Sequence, residues 1–440
     1  MQNYFYELAA FLQNQVKGNE RFTCWFSAED SDFVRFNHGA IRQPGHVSQI
    51  YLNLQLISGQ RHAGSSATLG GSLDPDNEIL ERLVCGLRSQ LADLSDDPHL
   101  LISTEVCSTE HIVASRLPAT HVVVDEILAV AKSYDFVGIL AAGPVYRGFA
   151  NSYGQRNWHE TSSFNLDWSL YCSDDKAVKS AYAGFDWDSA AFKVKFNAAV
   201  SQLDILKRDP ITLKLGGHRA YLSPTAFGEL VGMLNWDGLS EKSLRTRQSA
   251  LRKMRDGGLQ LNPAITLCEN VAEGIAPSFQ REGFIKPGSI TLIDHGHLSN
   301  SMVSPRTAKE FGIATNGADG SEMMVSVDVQ AGALPLSQVL SELDTGVYIS
   351  NLWYLNYSDR ANCRITGMTR FATFWVENGE IKAPINATRF DDSLFQLLGE
   401  KLAGLTCERE LLINSESYGQ RGINSMRLPG ALVKEFVFVL

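Results

Sequence analysis

The spacing of apolar residues predicts helices and strands along the first half of the chain. Apolar positions three or four residues apart are typical of the buried face of a helix. They recur in residues 4–16, 74–91, 123–133 and 188–206. Alternating or short apolar runs between turn residues predict strands instead. These runs are residues 23–27, 33–36, 47–57, 136–140, 145–149 and 164–170.

The second half of the chain has a strand-rich pattern, with helices predicted at 224–235 and 239–255. Two apolar runs, at 347–352 and 371–376, are followed by Asn378-Gly379. Asn-Gly favours a type I′ hairpin turn, because both central residues of that turn need a positive φ. The patterns together predict a mixed α+β protein. A polar stretch that ends in Pro210 discourages helix continuation and predicts a domain boundary near residue 207.

Composition narrows the classes of function. A chain of 440 residues is long enough for two or three domains. Its net charge of −10 argues against a nucleic-acid surface, which needs a basic face to displace counterions. The seven cysteines form no CxxC pair, so the sequence indicates neither a zinc ribbon nor a redox motif and fits a reducing cytoplasm. No apolar run is long enough to predict a membrane span.

Several short segments of the second half resemble the TldD/PmbA family. Three of them occur in the family's order and carry the resemblance: Gly346-Val347-Tyr348-Ile349, Thr366-Gly367-Met368 and Val376-Glu377-Asn378-Gly379-Glu380-Ile381. Residues 278–283, 291–298 and 307–317 are similar to segments of the TldE/PmbA branch. The resemblance implies an N-terminal part of strand meanders with flanking helices, residues 1–207, and a β-rich C-terminal domain, residues 208–440.

The same resemblance identifies where a zinc site would lie. In the catalytic branch a helix carries HExxxH, and a cysteine near the C-terminus completes the site. The matching positions here are Gly228, Glu229, Met233 and Ser415. Glycine has no donor atom, a thioether suits copper(I) better than zinc, and a neutral hydroxyl is a poor zinc ligand. The resemblance therefore implies a degenerate site without metal or other cofactor.

Two residues of this predicted helix, Glu229 and Gly232, need a separate interpretation. Glu229 is interpreted either as an ordinary solvated or hydrogen-bonded helix residue or as a remaining catalytic base. Gly232, one turn further along, is expected to allow close helix packing.

The functional expectation follows from the TldE/PmbA branch. The chain is expected to be a non-catalytic, cytoplasmic subunit that pairs with a TldD-like zinc peptidase acting on unfolded or modified peptides. Two alternatives stay open. One is a self-sufficient metallopeptidase that uses His295, His297 or Glu229 as atypical ligands. The other is a non-enzymatic homodimer that binds peptides. The sequence has no GxSxG elbow, P-loop or GxGxxG segment, which argues against the usual hydrolase, NTPase and dinucleotide-binding classes.

A cluster of basic residues stands out in this acidic chain. The predicted helix at 239–255 carries Lys242, Arg245, Arg247, Arg252, Lys253 and Arg255. It is interpreted either as a solvated helix face or as a contact face for an acidic partner or peptide, with Arg245, Arg247 and Arg252 as the candidate contacts.

Overall fold

The computed structural model describes residues 1–173 and 176–439. Its first sheet contains seven strands from these residues, in the order β3-β2-β1-β5-β6-β4, with β7 also pairing with β6. The strands are β1 Glu20–Asn37, β2 Ala40–Ser58, β3 Arg61–Leu69, β4 Thr109–Ile112, β5 Asp135–Asn151, β6 Arg156–Ser173 and β7 Lys176–Gly184. Four helices accompany them: α1 Gln2–Gln15, α2 Leu73–Leu91, α3 Thr120–Ala131 and α4 Ser189–Leu206. The helices predicted in this half are confirmed.

The strands of the first sheet are longer than predicted. The runs at 23–27 and 33–36 both belong to β1, and those at 136–140 and 145–149 both belong to β5. The polar middle of β1 suggested a break, but Glu29 and Ser31 are fully buried there. They remain in the strand because Arg421, nearly four hundred residues away in sequence, hydrogen-bonds to both residues. Strand β7 was not predicted.

The second sheet contains eleven strands from the described residues, and part of it closes into a ring. Strand β8 pairs with both β13 and β18, so that β18, β16, β14, β13 and β8 form a closed path. The strands are β8 Gly216–Leu222, β9 Leu267–Glu269, β10 Ile290–Asp294, β11 His297–Leu298, β12 Ser326–Val329, β13 Gly346–Asp359, β14 Arg364–Glu377, β15 Glu380–Pro384, β16 Arg389–Ser393, β17 Leu402–Ile413 and β18 Ser425–Phe438. The α+β prediction is confirmed.

The helices of the second half are mostly short. They are α5 Pro224–Asn235, α6 Glu241–Arg245, α7 Arg252–Arg255, α8 Pro305–Phe311, α9 Val339–Leu343 and α10 Leu394–Leu397, with 3₁₀ turns at Leu336–Gln338 and Arg360–Asn362. Helix α5 packs against β13 and β18, with Phe227 and Leu230 completely buried. The Asn378-Gly379 turn is confirmed, since both residues have positive φ (50° and 75°) and the turn joins β14 to β15.

The single helix predicted at 239–255 is wrong. The chain forms α6, turns back at 246–251, and continues as α7. The amides of Gln248 and Ser249 both donate to the carbonyl of Ser243, and Arg247 has a φ of 62°. This turn buries Ala250 and Leu251, which a straight helix could not place in the core.

The boundary predicted near residue 207 falls after α4 and before β8. Each sheet lies on one side of that point, but Ala372 and Phe374 of β14 pack into the core beneath the first sheet. Division into two domains at this position remains a prediction. None of the described helices combines the length and hydrophobicity needed to cross a membrane.

Candidate functional site

Helix α5 carries the positions that the sequence singled out, and its start is firmly held. Ser223 Oγ accepts a hydrogen bond from the amide of Ala226 at 3.2 Å, which caps the helix. The same hydroxyl donates to the carbonyl of Ser350 at 2.6 Å and ties the cap to β13. Pro224 occupies the first turn, where a missing N–H leaves no bond unmade. Position and rotation of α5 are therefore fixed by its N-terminus.

Gly228 and Met233 both face packed protein. A Cβ atom at Gly228 would lie 2.8 Å from Leu428 Cδ1 and 3.5 Å from Leu412 Cδ1. Leu428 is itself fully buried, so it has little room to move. Met233 is 5% exposed and belongs to the core of the second sheet. Of the two positions that match the family's histidines, position 233 holds an apolar core residue. At position 228, apolar side chains occupy the space that a larger residue would need.

The remaining face of α5 is open. Glu229 is exposed, Trp236 is 43% exposed, and a Cβ atom at Gly232 would meet nothing within 4 Å. Glu229 and Gly232, three residues apart, share one face of the helix, and Trp236 follows its last residue. The close-packing role expected for Gly232 is therefore wrong.

The surroundings of Glu229 shift the ionisation of its carboxyl. Burial by surrounding protein atoms raises the pKa of the Glu229 carboxyl above its ordinary value, and the positive charge of Lys179 on β7 opposes that shift. The side chain is nevertheless exposed to solvent. Nothing in the local sequence pointed to the influence of Lys179.

Ser415 lies on an exposed loop, residues 414–424, between β17 and β18. The loop is attached to the first sheet through Arg421, which is 5% exposed. Its guanidinium donates to the carbonyl and hydroxyl of Ser163 at 2.9 and 2.8 Å and to the carbonyl of Gly143 at 2.9 Å. Ser415 itself lines a small recess formed with Phe33 of that sheet.

These residues do not fit a zinc ion of the family type. Position 228 offers no donor, Met233 is enclosed by apolar side chains, and Ser415 offers a neutral hydroxyl. Across residues 1–173 and 176–439, no group of three or more His, Cys, Asp and Glu side chains is arranged to hold a metal ion. Neither the donor atoms at positions 228, 233 and 415 nor the packing of α5 is compatible with the zinc site of the family.

The alternative histidine ligands lie at a hairpin turn. His295 and Gly296 have φ of 46° and 82° and connect β10 to β11. The His295 ring is exposed and its Nδ1 contacts Asp294 Oδ1 at 2.7 Å. His297 begins β11, which pairs with β10.

The basic residues are partly used inside the protein. Arg245 contacts Glu241 at 2.5 Å, and Arg255 forms two further bonds to that carboxylate at 2.8 and 2.9 Å. Burial alone would raise the pKa of Glu241, but bonds from Arg255, Ser301 and Arg245 outweigh it and lower the pKa to about 2. Arg247 is exposed, and Arg252 lies 3.7 Å from Asp256. A continuous basic helix face does not form.

The architecture consists of two β-sheets, of which the second is partly closed into a ring and packs α5 against β13 and β18. A family model for the PmbA/TldA metallopeptidase C-terminal domain matches residues 216–439, half of the chain. The chain belongs to the PmbA/TldD family. A comparison with curated proteins finds no match.

Solved structures share the fold over nearly the whole chain. TldE from Thermococcus kodakarensis has 14% identity and a TM-score of 0.78, with 99% of this chain and 100% of that chain covered. A proposed modulator of a DNA gyrase from Thermotoga maritima has 14% identity and a TM-score of 0.76, with 99% of each chain covered. Another from Bacteroides thetaiotaomicron has 13% identity and a TM-score of 0.76, with 99% and 98% covered. At these identities the likeness establishes the fold.

Proposed function

We propose that this chain is a TldE-like subunit without a metal of its own, which pairs in the cytoplasm with a TldD-like zinc peptidase. The partner supplies the zinc ion and the hydrolytic chemistry. This chain walls the shared cavity and binds the unfolded or modified peptide on which the partner acts.

The packing around α5 carries this proposal. The helix keeps an open face with Glu229 and Gly232, while positions 228 and 233 are committed to the apolar core. An open helix face without zinc donors suits a surface that holds a substrate and leaves the reaction to another subunit.

A strand edge near α5 offers a way to hold an extended peptide. Residues 409–413 of β17 pair with β18 on one side and with no described strand on the other. Strand β17 also contacts α5 and lies beside β7. Main-chain groups of a peptide could pair with this edge, which gives affinity with little dependence on sequence. That suits a substrate class of unfolded peptides.

The test is a peptidase assay on the purified chain, on the chain with a co-purified HExxxH relative, and on that relative alone. An unfolded protein such as casein serves as substrate, with and without a chelator. We expect activity only when the relative is present, a marked gain when both chains are present, and loss of activity with the chelator. Full chelator-sensitive activity of this chain alone would refute the proposal and favour a self-sufficient enzyme. A homodimer that never takes up the relative would favour a peptide-binding protein.

A further inference from the structure

A second concavity lies between the edge of the first sheet and the hairpin of β13 and β14. Its volume is about 470 Å³, within the range of small-ligand sites. Four of the described lining residues are aromatic, namely Tyr171, Trp353, Tyr354 and Phe371. Trp353 and Tyr354 are 40% and 75% exposed, which is unusual for side chains of this size. We call this concavity the aromatic pocket.

Arg370 provides the pocket with a positive charge that is stacked on aromatic rings. Its guanidinium lies 4.4 Å from the centre of the Trp353 ring and 5.1 Å from that of Phe371. In the part of the chain that the structure describes, Arg370 makes no ion pair. The described lining residues include Lys176 as a second cation. The pocket therefore favours an anionic group next to an apolar one.

A buried hydroxyl in the wall also lacks a partner. Thr373 is 2% exposed, and its Oγ1 forms no hydrogen bond with the described residues. Buried polar groups are almost always paired, because an unpaired group loses about 1–3 kcal/mol. Thr373 belongs to the pocket lining, so a ligand that displaced the groups covering Oγ1 would satisfy it.

Two residues that line the pocket have a strained backbone conformation. Tyr354 and Phe371 have φ of 53° and 57°, a region that bulky side chains seldom adopt. Both positions are near irregularities in the β13–β14 pairing and direct large rings to the pocket wall. Such strain persists where the surrounding structure imposes it, frequently at binding sites.

Lys179 lies beside the aromatic pocket, with its Nζ 5.9 Å from the centre of the Phe371 ring. Under the proposed function the ligand of this pocket is a peptide, and one end of that peptide enters it. The chemistry of the pocket identifies which end, because a guanidinium fork binds a carboxylate and repels an ammonium.

We propose that the aromatic pocket binds the C-terminal carboxylate of a peptide whose last residue is aromatic or otherwise apolar. Arg370 pairs with the carboxylate, the rings of Trp353 and Phe371 enclose the last side chain, and Thr373 donates to a peptide oxygen. The inference rests on the proposed function, since it names where the handled peptide ends.

Calorimetric titration of the full chain tests this assignment. The probes are the peptide Gly-Ser-Gly-Ser-Gly-Phe with a free carboxylate and the same peptide with a C-terminal amide. We expect the free acid to bind at least about tenfold more tightly, the effect of one charge-assisted pair. Arg370→Gln should abolish that preference, and Arg370→Lys should retain part of it because the charge remains but the fork is lost. The control Arg42→Gln, at an exposed arginine of the first sheet, should keep the full preference.

Thr373→Val gives a second readout that preserves volume. We expect it to weaken binding of the free acid severalfold while the chain stays folded, because only the orphaned hydroxyl is removed. Equal affinity for the acid and the amide, or an unchanged preference in Arg370→Gln, would overturn the pocket assignment alone. If neither peptide bound the wild-type chain, the peptide-binding role proposed above would fail with it.

Discussion

The two glycines of α5, Gly228 and Gly232, allow a matched test of whether position 228 has room for a metal-binding side chain. Gly→Ala inside a helix ordinarily stabilises a protein by about 1 kcal/mol, because glycine loses more backbone entropy on folding. Gly232 has open space around its Cβ position, so Gly232→Ala should realise that gain. Gly228 does not, since the new methyl group would lie 2.8 Å from Leu428 Cδ1.

The magnitude at Gly228 follows from opposing effects. Overpacking a closed core costs about 1–3 kcal/mol, which offsets or exceeds the helix gain of about 1 kcal/mol. We therefore expect Gly228→Ala to be neutral or to destabilise by up to about 2 kcal/mol. The two variants should differ by about 1–3 kcal/mol although they make the same chemical change on one helix.

Urea unfolding followed by intrinsic fluorescence measures this difference, with both variants and the wild type under identical conditions. Comparing midpoints within one protein avoids the assumption that a chain of this length unfolds in one step. If Gly228→Ala gained as much stability as Gly232→Ala, position 228 would have room for a side chain. The packing argument against a zinc ligand there would then be lost.

Three further expectations concern other parts of the account. Because burial raises the pKa of Glu229 in the folded chain, the folded state favours the protonated form, and stability falls as pH rises through the range between the ordinary carboxyl pKa and the raised one. Glu229→Gln should therefore raise the urea midpoint at neutral pH but not in acid below the ordinary pKa, and equal effects at both pH values would count against a raised pKa. Arg421→Ala should destabilise the chain by about 3 kcal/mol, since it leaves buried acceptors without a donor. The same variant should make the 414–424 loop susceptible to limited proteolysis. A loop as resistant as in the wild type would show that Arg421 does not hold it. Met233→Leu should lower the free energy of unfolding by less than about 1.5 kcal/mol, and Met233→His should lower it by about 2–4 kcal/mol, as measured by thermal unfolding. A stable histidine variant that binds zinc would contradict the core position of this side chain.

Local patterns were sufficient for elements whose signals are local. Helix α4 has its apolar stripe and an N-cap at Asp188 in adjacent residues, and the Asn378-Gly379 turn needs only its own two φ angles. Elements that depend on distant partners were missed. The unbroken course of β1 requires Arg421, and the turn between α6 and α7 requires a core site for Leu251.

The candidate site was likewise predicted only in part. The sequence placed Gly228, Glu229 and Met233 on one helix, because their positions follow from the resemblance and the helix period. It could not show that the charge of Lys179 influences Glu229, since Lys179 is on β7 of the first sheet and Glu229 is on α5 of the second half. The aromatic pocket was also not anticipated, because Tyr171 and Arg370 come together only through the contact of β14 with β7.

The most direct test of the central claim is the metal content of the purified chain, measured by mass spectrometry of the elements, alone and in complex with an HExxxH relative. The account predicts no zinc in the chain alone and, in the complex, zinc only in proportion to the relative. One zinc per copy of this chain, retained after dialysis and without the relative, would contradict it.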